Sequence, residues 1–299
     1  MKNVGAQRRA IFRPLHGTVC TAYRCTGACV AGPSGVRRVC SPAQQRPAAA
    51  LPPLTGKAER RMEQRLKELL EQAHSAVFFG GAGVSCESGI PDFRSQDGLY
   101  HQQWPWPPEE ILSHTFFVQH TAEFFQFYRE KMLYPHAKPN AAHLALARLE
   151  RQSHIHAVVT QNIDGLHTAA GSRNVLELHG SVHRNRCMKC GKPYGLEAVL
   201  GTQGIPKCAC GGVIKPEVVL YEEMLDEAVL QASVRAIAGA DLLIIGGTSL
   251  NVYPAAGLLR YYDGRELVVI NKTPTPADRN ATLVLTGAIG EIFAEEPAP

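Results

Sequence analysis

Seven short runs of continuous apolar sequence constrain this chain more than any other feature. They are Val77–Phe79, Ala157–Thr160, Val175–Leu178, Val218–Tyr221, Leu242–Ile245, Leu267–Ile270 and Leu283–Leu285. A strand with one wet face alternates apolar and polar residues, whereas a strand that is apolar throughout is buried on both sides. Helical pattern separates most of these runs. Leu66, Leu69, Leu70 and Ala73 predict a helix over 62–74, and Asn140–Arg151 and Asp226–Ala238 read the same way. The alternation predicts an α/β fold, a Rossmann-like parallel sheet with helices on both faces.

Two insertions interrupt the pattern. Residues 95–139 begin with a loop broken by Pro105, Pro107 and Pro108. They continue into helical text carrying Phe116, Phe117, Phe124, Phe125, Phe127 and Tyr128. That spacing predicts a packed helix face, part of which can also line a channel. Residues 184–212 hold four clustered cysteines. The expected organisation is a discontinuous sheet domain (62–94, 140–183 and 213–294), a small domain made of the two insertions, and a short tail over 295–299.

Charge divides the chain unevenly. The net charge of +4 over 299 residues conceals a leader, residues 1–61, with nine Arg, two Lys and the single acid Glu59, a balance of +10. The remainder carries 20 basic against 26 acidic residues, or −6. A mildly acidic body gives no electrostatic reason to expect nucleic acid as a partner. No apolar stretch reaches the roughly 18–20 residues of a membrane span, so no membrane partner is expected either. Residues 1–55, rich in Arg, Pro, Ala and Gly, show no apolar period and are expected to be disordered. An Arg-rich, acid-poor leader can be an organelle transit peptide or an upstream extension with no catalytic role. A mature start near residue 55 or 62 would leave the two to be separated by cell type.

Three motifs lie at predicted strand ends. The first is Gly80-Gly81-Ala82-Gly83-Val84-Ser85, followed by Ser88-Gly89-Ile90-Pro91-Asp92-Phe93-Arg94. Glycines after a strand let the backbone approach a pyrophosphate, where amide N–H groups can cradle it. Gly89 and Pro91 suit a loop with one free and one fixed point, as a moving lid needs. Cys86 stands where a hydride-transfer fingerprint wants Gly or Ala, and no ribose-binding acid follows at the usual distance. The second motif is Gln161-Asn162-Ile163-Asp164-Gly165-Leu166-His167 and the third Leu178-His179-Gly180. A histidine at a strand end can hold and release a proton near neutral pH.

Together, in this order, the three motifs resemble those of the sirtuins, NAD-consuming protein-lysine deacylases, in their bacterial form. The likeness runs over about residues 62–294. It implies that Ala82, Cys86, Phe93 and Arg94 contact NAD, the Phe-Arg pair closing over the nicotinamide end. It implies that Asn162 and Asp164 shape the nicotinamide pocket as catalytic residues, that Ile163 and Asp164 meet the carboxamide, and that Gln161 reaches the ribose. Gly247-Thr248-Ser249, within the turn Gly246–Leu250, resembles the family's contact near the adenosine ribose and phosphates. Asn271-Lys272 resembles an adenosine-ribose contact, and Ile289 the position flanking adenine. His179 is implied to lie at the cofactor as the general base: the acyl-lysine oxygen attacks the ribose C1′ as nicotinamide leaves, and His179 then takes a proton from a ribose hydroxyl. His167 reads as structural. Val218–Glu222 resembles the segment along which acylated-lysine protein or peptide substrates add as a strand.

Cys187-x2-Cys190 and Cys208-x-Cys210 supply four thiolates, the number a closed structural Zn²⁺ site takes. The second pair is one residue tighter than the usual spacing, with Gly211-Gly212 following. Disulfides and an iron–sulfur cluster are the other readings of the four. Cys20, Cys25, Cys29 and Cys40 of the leader show no metal spacing.

The expected activity is NAD-dependent protein-lysine deacetylation in the cytoplasm, with NAD as co-substrate and Zn²⁺ structural. Alternatives are removal of longer or acidic acyl groups, protein ADP-ribosyl transfer, a non-catalytic NAD-sensing module and a dehydrogenase. Sirtuins that prefer acidic acyl groups carry Tyr-x-x-Arg in the first insertion. Here Phe125 and Tyr128 align with it and Arg129 is displaced by one residue, a helical rotation of about 100°, which favours neutral acyl groups.

Overall fold

The computed structural model describes residues 56–93, 98–99 and 104–293. The leader up to residue 55, the tail over 295–299 and Arg94 lie outside the described residues.

The first helix spans Gly56–Gln72, starting six residues before the expected 62. Residues 57–61 are Lys, Ala, Glu, Arg and Arg, good helix formers with no breaker among them. Among the described residues nine strands follow: β1 (Ala76–Gly80), β2 (Ile155–Thr160), β3 (Val175–Glu177), β4 (Gly180–Cys187), β5 (Pro193–Tyr194), β6 (Ile214–Val218), β7 (Leu242–Gly246), β8 (Glu266–Asn271) and β9 (Leu283–Thr286). Six of them form one sheet in the order β3-β2-β1-β7-β8-β9. Every neighbouring pair in it is parallel. The chain winds outward from β1 to β3, returns to the middle at β7, and winds outward again to β9. Between β1 and β7 the winding reverses, and a doubly wound sheet opens a ligand crevice at the carboxyl ends of the strands there.

Strict alternation sends Ala76 and Phe78 to one face of β1, and Val77 and Phe79 to the other. On the first face they meet Leu66, Leu69 and Leu70 of the first helix and Ala142, Ala145 and Leu146 of the helix Ala141–Arg151. On the second they meet Ile237 of the helix Glu227–Ala238 and Leu258. Phe78 and Phe79 are wholly buried, each contributing about 1.5–3 kcal/mol of burial. Asn140 caps its helix by accepting from the backbone N–H of Ala142 and His143, and Asp226 caps the other by accepting from Val229 N–H.

The run Val218–Tyr221 is not a strand of the parallel sheet. β6 ends at Val218 and pairs antiparallel with β4, as does β5, in a separate three-stranded sheet. Residues 219–221 continue extended, with Val219 N–H donating to His179 O and Tyr221 N–H to Leu112 O. This pairing reaches from Gly180 to Val218, beyond the expected 184–212 on both sides. The reason lies in packing: Val218 and Leu220 bury against the aromatic insertion and not against the parallel sheet. The insertion itself folds as helices Pro108–Ile111, His114–Gln119 and Thr121–Phe127, with a π-helical turn over Tyr128–Met132. Its six predicted aromatics are all buried in one cluster, as the packed-face reading expects.

Candidate active site

Gly80 and Gly246 end the two central strands in register. The turns that follow pack backbone against backbone: Gly81 N–H donates to Gly246 O at 3.2 Å and Gly83 N–H to Gly247 O at 2.8 Å. Gly247 has φ +59°, and a Cβ on it would fall 2.5 Å from Val84 N. No other residue fits there. The N–H groups of Gly81, Gly83, Val84 and Ser85 are all committed to backbone carbonyls. The glycines serve to bring the two turns together.

β2 delivers Gln161–Asp164 to the same edge, with Gln161 N–H donating to Gly80 O. Gln161 Nε2 donates to Thr248 Oγ1 at 3.0 Å, tying the end of β2 to the turn after β7. Asn162 Nδ2 donates to Ser85 Oγ at 3.0 Å, and Ser85 Oγ donates to Asp164 Oδ2 at 2.7 Å. The carboxylate only accepts, so the hydroxyl proton must point at Asp164 and the serine lone pair at Asn162. Asp164 Oδ1 accepts from Leu166 N–H, at the start of the short helix Leu166–Ala169. Ser85 is 1% exposed and Asn162 9%. The sequence places Ser85 in the first glycine motif but does not indicate this link. The available signal was a small hydroxyl following a glycine turn that an amide and a carboxylate have to approach.

His179 lies between β3 and β4, half-buried, its Nδ1 2.9 Å from Gln161 O. A carbonyl only accepts, so Nδ1 carries the proton and Nε2 keeps its lone pair. Burial lowers the imidazole pKa from its ordinary 6.5, and the Gln161 carbonyl opposes that only in part. Gly180, next in sequence, has φ +75° and would place a Cβ against Glu217 O. It lets the chain turn from His179 into β4.

The remaining expected contacts are spread along the same edge. Thr248 is buried, and its Oγ1 accepts from Leu250 N–H. Asn271 closes β8, and Lys272 after it is exposed. Lys272 pulls the Cys86 thiol pKa down, but burial and Asp92 push it up by more. Ala82 is half-buried in the first turn. Phe93 and Ile163 pack against the aromatic cluster of the insertion. Ile289 is only 2% exposed, and its Cδ1 reaches the space beside Gly246, so it packs in the core. His167 is buried between Phe78 and His143, as its structural reading expects.

Away from the crevice, Cys187, Cys190, Cys208 and Cys210 place their four sulfurs within 4.8 Å of one another. Cys187 and Cys210 sulfurs lie 3.5 Å apart, and those of Cys190 and Cys208 3.6 Å. These separations are far beyond a disulfide bond of about 2.05 Å. They approach the edge of a tetrahedron of thiolates held at about 2.3 Å from Zn²⁺, about 3.8 Å. The four residues fit a closed zinc site, with no ligand position left for chemistry.

The protein class these features define is an α/β enzyme whose polar candidate residues gather at the strand ends where the sheet reverses its winding, with a separate four-cysteine cluster that fits a metal. Residues 81–254 match the model of the Sir2 family. An NAD-dependent protein deacetylase of Clostridium acetobutylicum is 59% identical over 232 residues, 76% of this chain and 95% of the relative. A Sir2 structure with deacetylated p53 peptide and 3′-O-acetyl-ADP-ribose is similar at TM-score 0.72 and 38% identity, over 77% of this chain and 95% of the other. One of Sir2 with p53 peptide and NAD⁺ is similar at TM-score 0.68 and 39% identity, over 77% and 95%. The chain belongs to the Sir2 family.

Proposed function

We propose that this protein removes acetyl groups from lysine side chains of proteins, consuming NAD. The observation that carries the reading is His179, a neutral imidazole whose Nδ1–H is fixed on Gln161 O and whose Nε2 is left to take a proton. The deacetylase relative and the Sir2 complexes support it.

NAD supplies an electrophilic ribose carbon and a leaving nicotinamide. The chain's own residues do the rest. Asn162, Ser85 and Asp164 form one hydrogen-bonded row beside the crevice, offering an amide and a carboxylate to a polar, asymmetric group such as nicotinamide. Gln161, Ile163, Ala82, Cys86 and Phe93 surround that end. Gly247, Thr248, Ser249, Asn271 and Lys272 take the adenosine half, with Ile289 supporting the wall from the core. His179 Nε2 accepts the proton of a ribose hydroxyl, a step for which a positioned base contributes about 10²–10⁴ in rate. Zn²⁺, held by the four cysteines, stays structural. The substrate is an acylated lysine on an extended peptide laid along residues 218–222.

Neutral acyl groups are favoured. Arg129 donates to the backbone carbonyls of Val199, Phe125 and Gly204, and Tyr128 is wholly buried, so neither presents itself to an acyl carboxylate. A cytoplasmic location belongs to the same proposal, since the five described cysteines are unpaired and four form a thiolate site suited to a reducing compartment. Among the described residues no helix is long and apolar enough to cross a membrane.

The test is mass spectrometry of acetyl-, longer-acyl- and succinyl-lysine peptides incubated with enzyme and NAD. Nicotinamide release that depends on acetyl peptide is expected, with His179→Ala folded and slowed at least about 10²-fold. Because His179 must be neutral, kcat/KM should rise with pH along a limb lying below 6.5 and then level off. Peptide-independent nicotinamide release with label on protein would make the enzyme an ADP-ribosyltransferase instead.

A further inference from the structure

Glu222 sits in the left-handed backbone region, at φ +73°, where a side chain other than that of Gly, Asn or Asp is a rare tenant. Something must hold it there. Its Oε2 accepts from Thr115 Oγ1 at 2.7 Å and from Thr115 N–H at 2.9 Å, at the start of the helix His114–Gln119. These bonds keep its carboxyl below the usual carboxylate range, the Thr115 hydroxyl contributing most. Both are charge-assisted, the stronger kind. On either side the backbone is clamped in the same sense. Ser113 and Tyr221 form a parallel bridge, Tyr221 N–H donating to Leu112 O and His114 N–H to Tyr221 O. The neighbouring Glu223 accepts from Leu220 N–H and Lys215 Nζ and pairs with His114 Nδ1 at 2.9 Å.

We infer that Glu222 is a positioning residue for the acyl-peptide substrate, a latch whose carboxylate fastens the helical insertion to the end of the segment 218–222 that receives the peptide. The inference rests on the proposed function, because only that reading makes 218–222 a substrate edge. A peptide that binds by strand pairing needs the receiving backbone held straight before it arrives. The Glu222–Thr115 pair joins residues 107 apart in sequence and fixes where that edge ends. A left-handed Glu without this pair would be a liability and glycine the natural choice. The bonds to Thr115 offset the cost of the conformation.

Glu222→Gly makes the test sharp, because glycine relieves the backbone strain while it removes the latch. The expected result for Glu222→Gly and Glu222→Ala is a three- to tenfold rise in the KM for acetyl-lysine peptide, with the KM for NAD and the kcat at saturating peptide within twofold of wild type. Glu222→Gly should melt no lower than Glu222→Ala. Glu222→Gln, which still accepts from Thr115, should recover most of the peptide affinity. Thr115→Val should raise peptide KM and add little on top of Glu222→Ala. An unchanged peptide KM in folded Glu222→Gly would overturn the latch, as would equal rises in both KM values. A wild type that turns over no acyl peptide would sink the proposed function, and the substrate role of Glu222 with it.

Discussion

Ser85 shows how much one small side chain can decide. It is the link through which Asn162 and Asp164 are held at fixed orientation, accepting from one and donating to the other. Ser85→Ala would leave a buried amide hydrogen and a carboxylate oxygen without that partner, a loss of about 1–3 kcal/mol. The expected outcome is a fall in kcat/KM of about 10- to 100-fold, with the protein still folded and its melting temperature lowered by about 2–4 °C per kcal/mol lost. Steady-state kinetics on acetyl peptide, beside a thermal melt, will check it. A variant with wild-type kinetics would remove Ser85 from the catalytic arrangement. His179 makes the same point about protons: its residue type is plain in the sequence, but its tautomer depends on the carbonyl of Gln161.

At the level of elements, the helices Ala141–Arg151 and Leu166–Ala169 meet through two buried imidazoles, His143 and His167, with ring centroids 4.7 Å apart. Among the described residues, none hydrogen-bonds either His167 nitrogen or His143 Nε2. Burial pushes the His143 pKa down to about 4 and that of His167 to about 3. The unfolded chain takes up these protons near 6.5 and the folded chain does not. Their contribution to stability is therefore complete above 6.5 and is lost as pH falls from 6.5 towards 4 and below. Each proton contributes a slope of up to about 1.4 kcal/mol per pH unit. Urea unfolding at pH 7 and pH 5 should show a marked loss in wild type and a smaller one in His167→Phe. Equal losses in the two proteins would contradict the account. Recognising His167 as structural was possible from sequence, but its pairing with His143 was not, because the contact forms only when the two helices pack on one face of the sheet.

The whole molecule divides its stabilisation between cores of different kinds. The parallel sheet is covered by apolar clusters on both faces. The three-stranded sheet has the aromatic insertion on one side and, around the cysteines, only a small cluster of Cys187, Cys208 and Ile214 with Tyr194 and Ala198. So small a cluster depends on its metal, and in isolated zinc-finger peptides binding contributes about 10–16 kcal/mol. One Zn²⁺ per chain is expected by metal analysis. A strong chelator should abolish amide-exchange protection across 180–218 while β1 and β7 stay protected, and activity should fall with the first of these. Active protein free of zinc, or uniform loss of protection, would refute this division.

The sequence by itself determined the parallel sheet, the glycine turns, the histidine at a strand end and the four-cysteine cluster. Each is written in local pattern: unbroken apolar runs, a residue type at a strand end, a short spacing. Tertiary structure alone decided that 218–221 leaves the sheet, that the glycine amides are spent on the opposite turn, and that Ser85 joins Asn162 and Asp164 across 77 and 79 positions of chain. Those outcomes depend on which donors and acceptors remain unpaired once the cores have packed. Hydrogen bonds act over about 3 Å, and a sequence does not specify which distant groups will come within that reach.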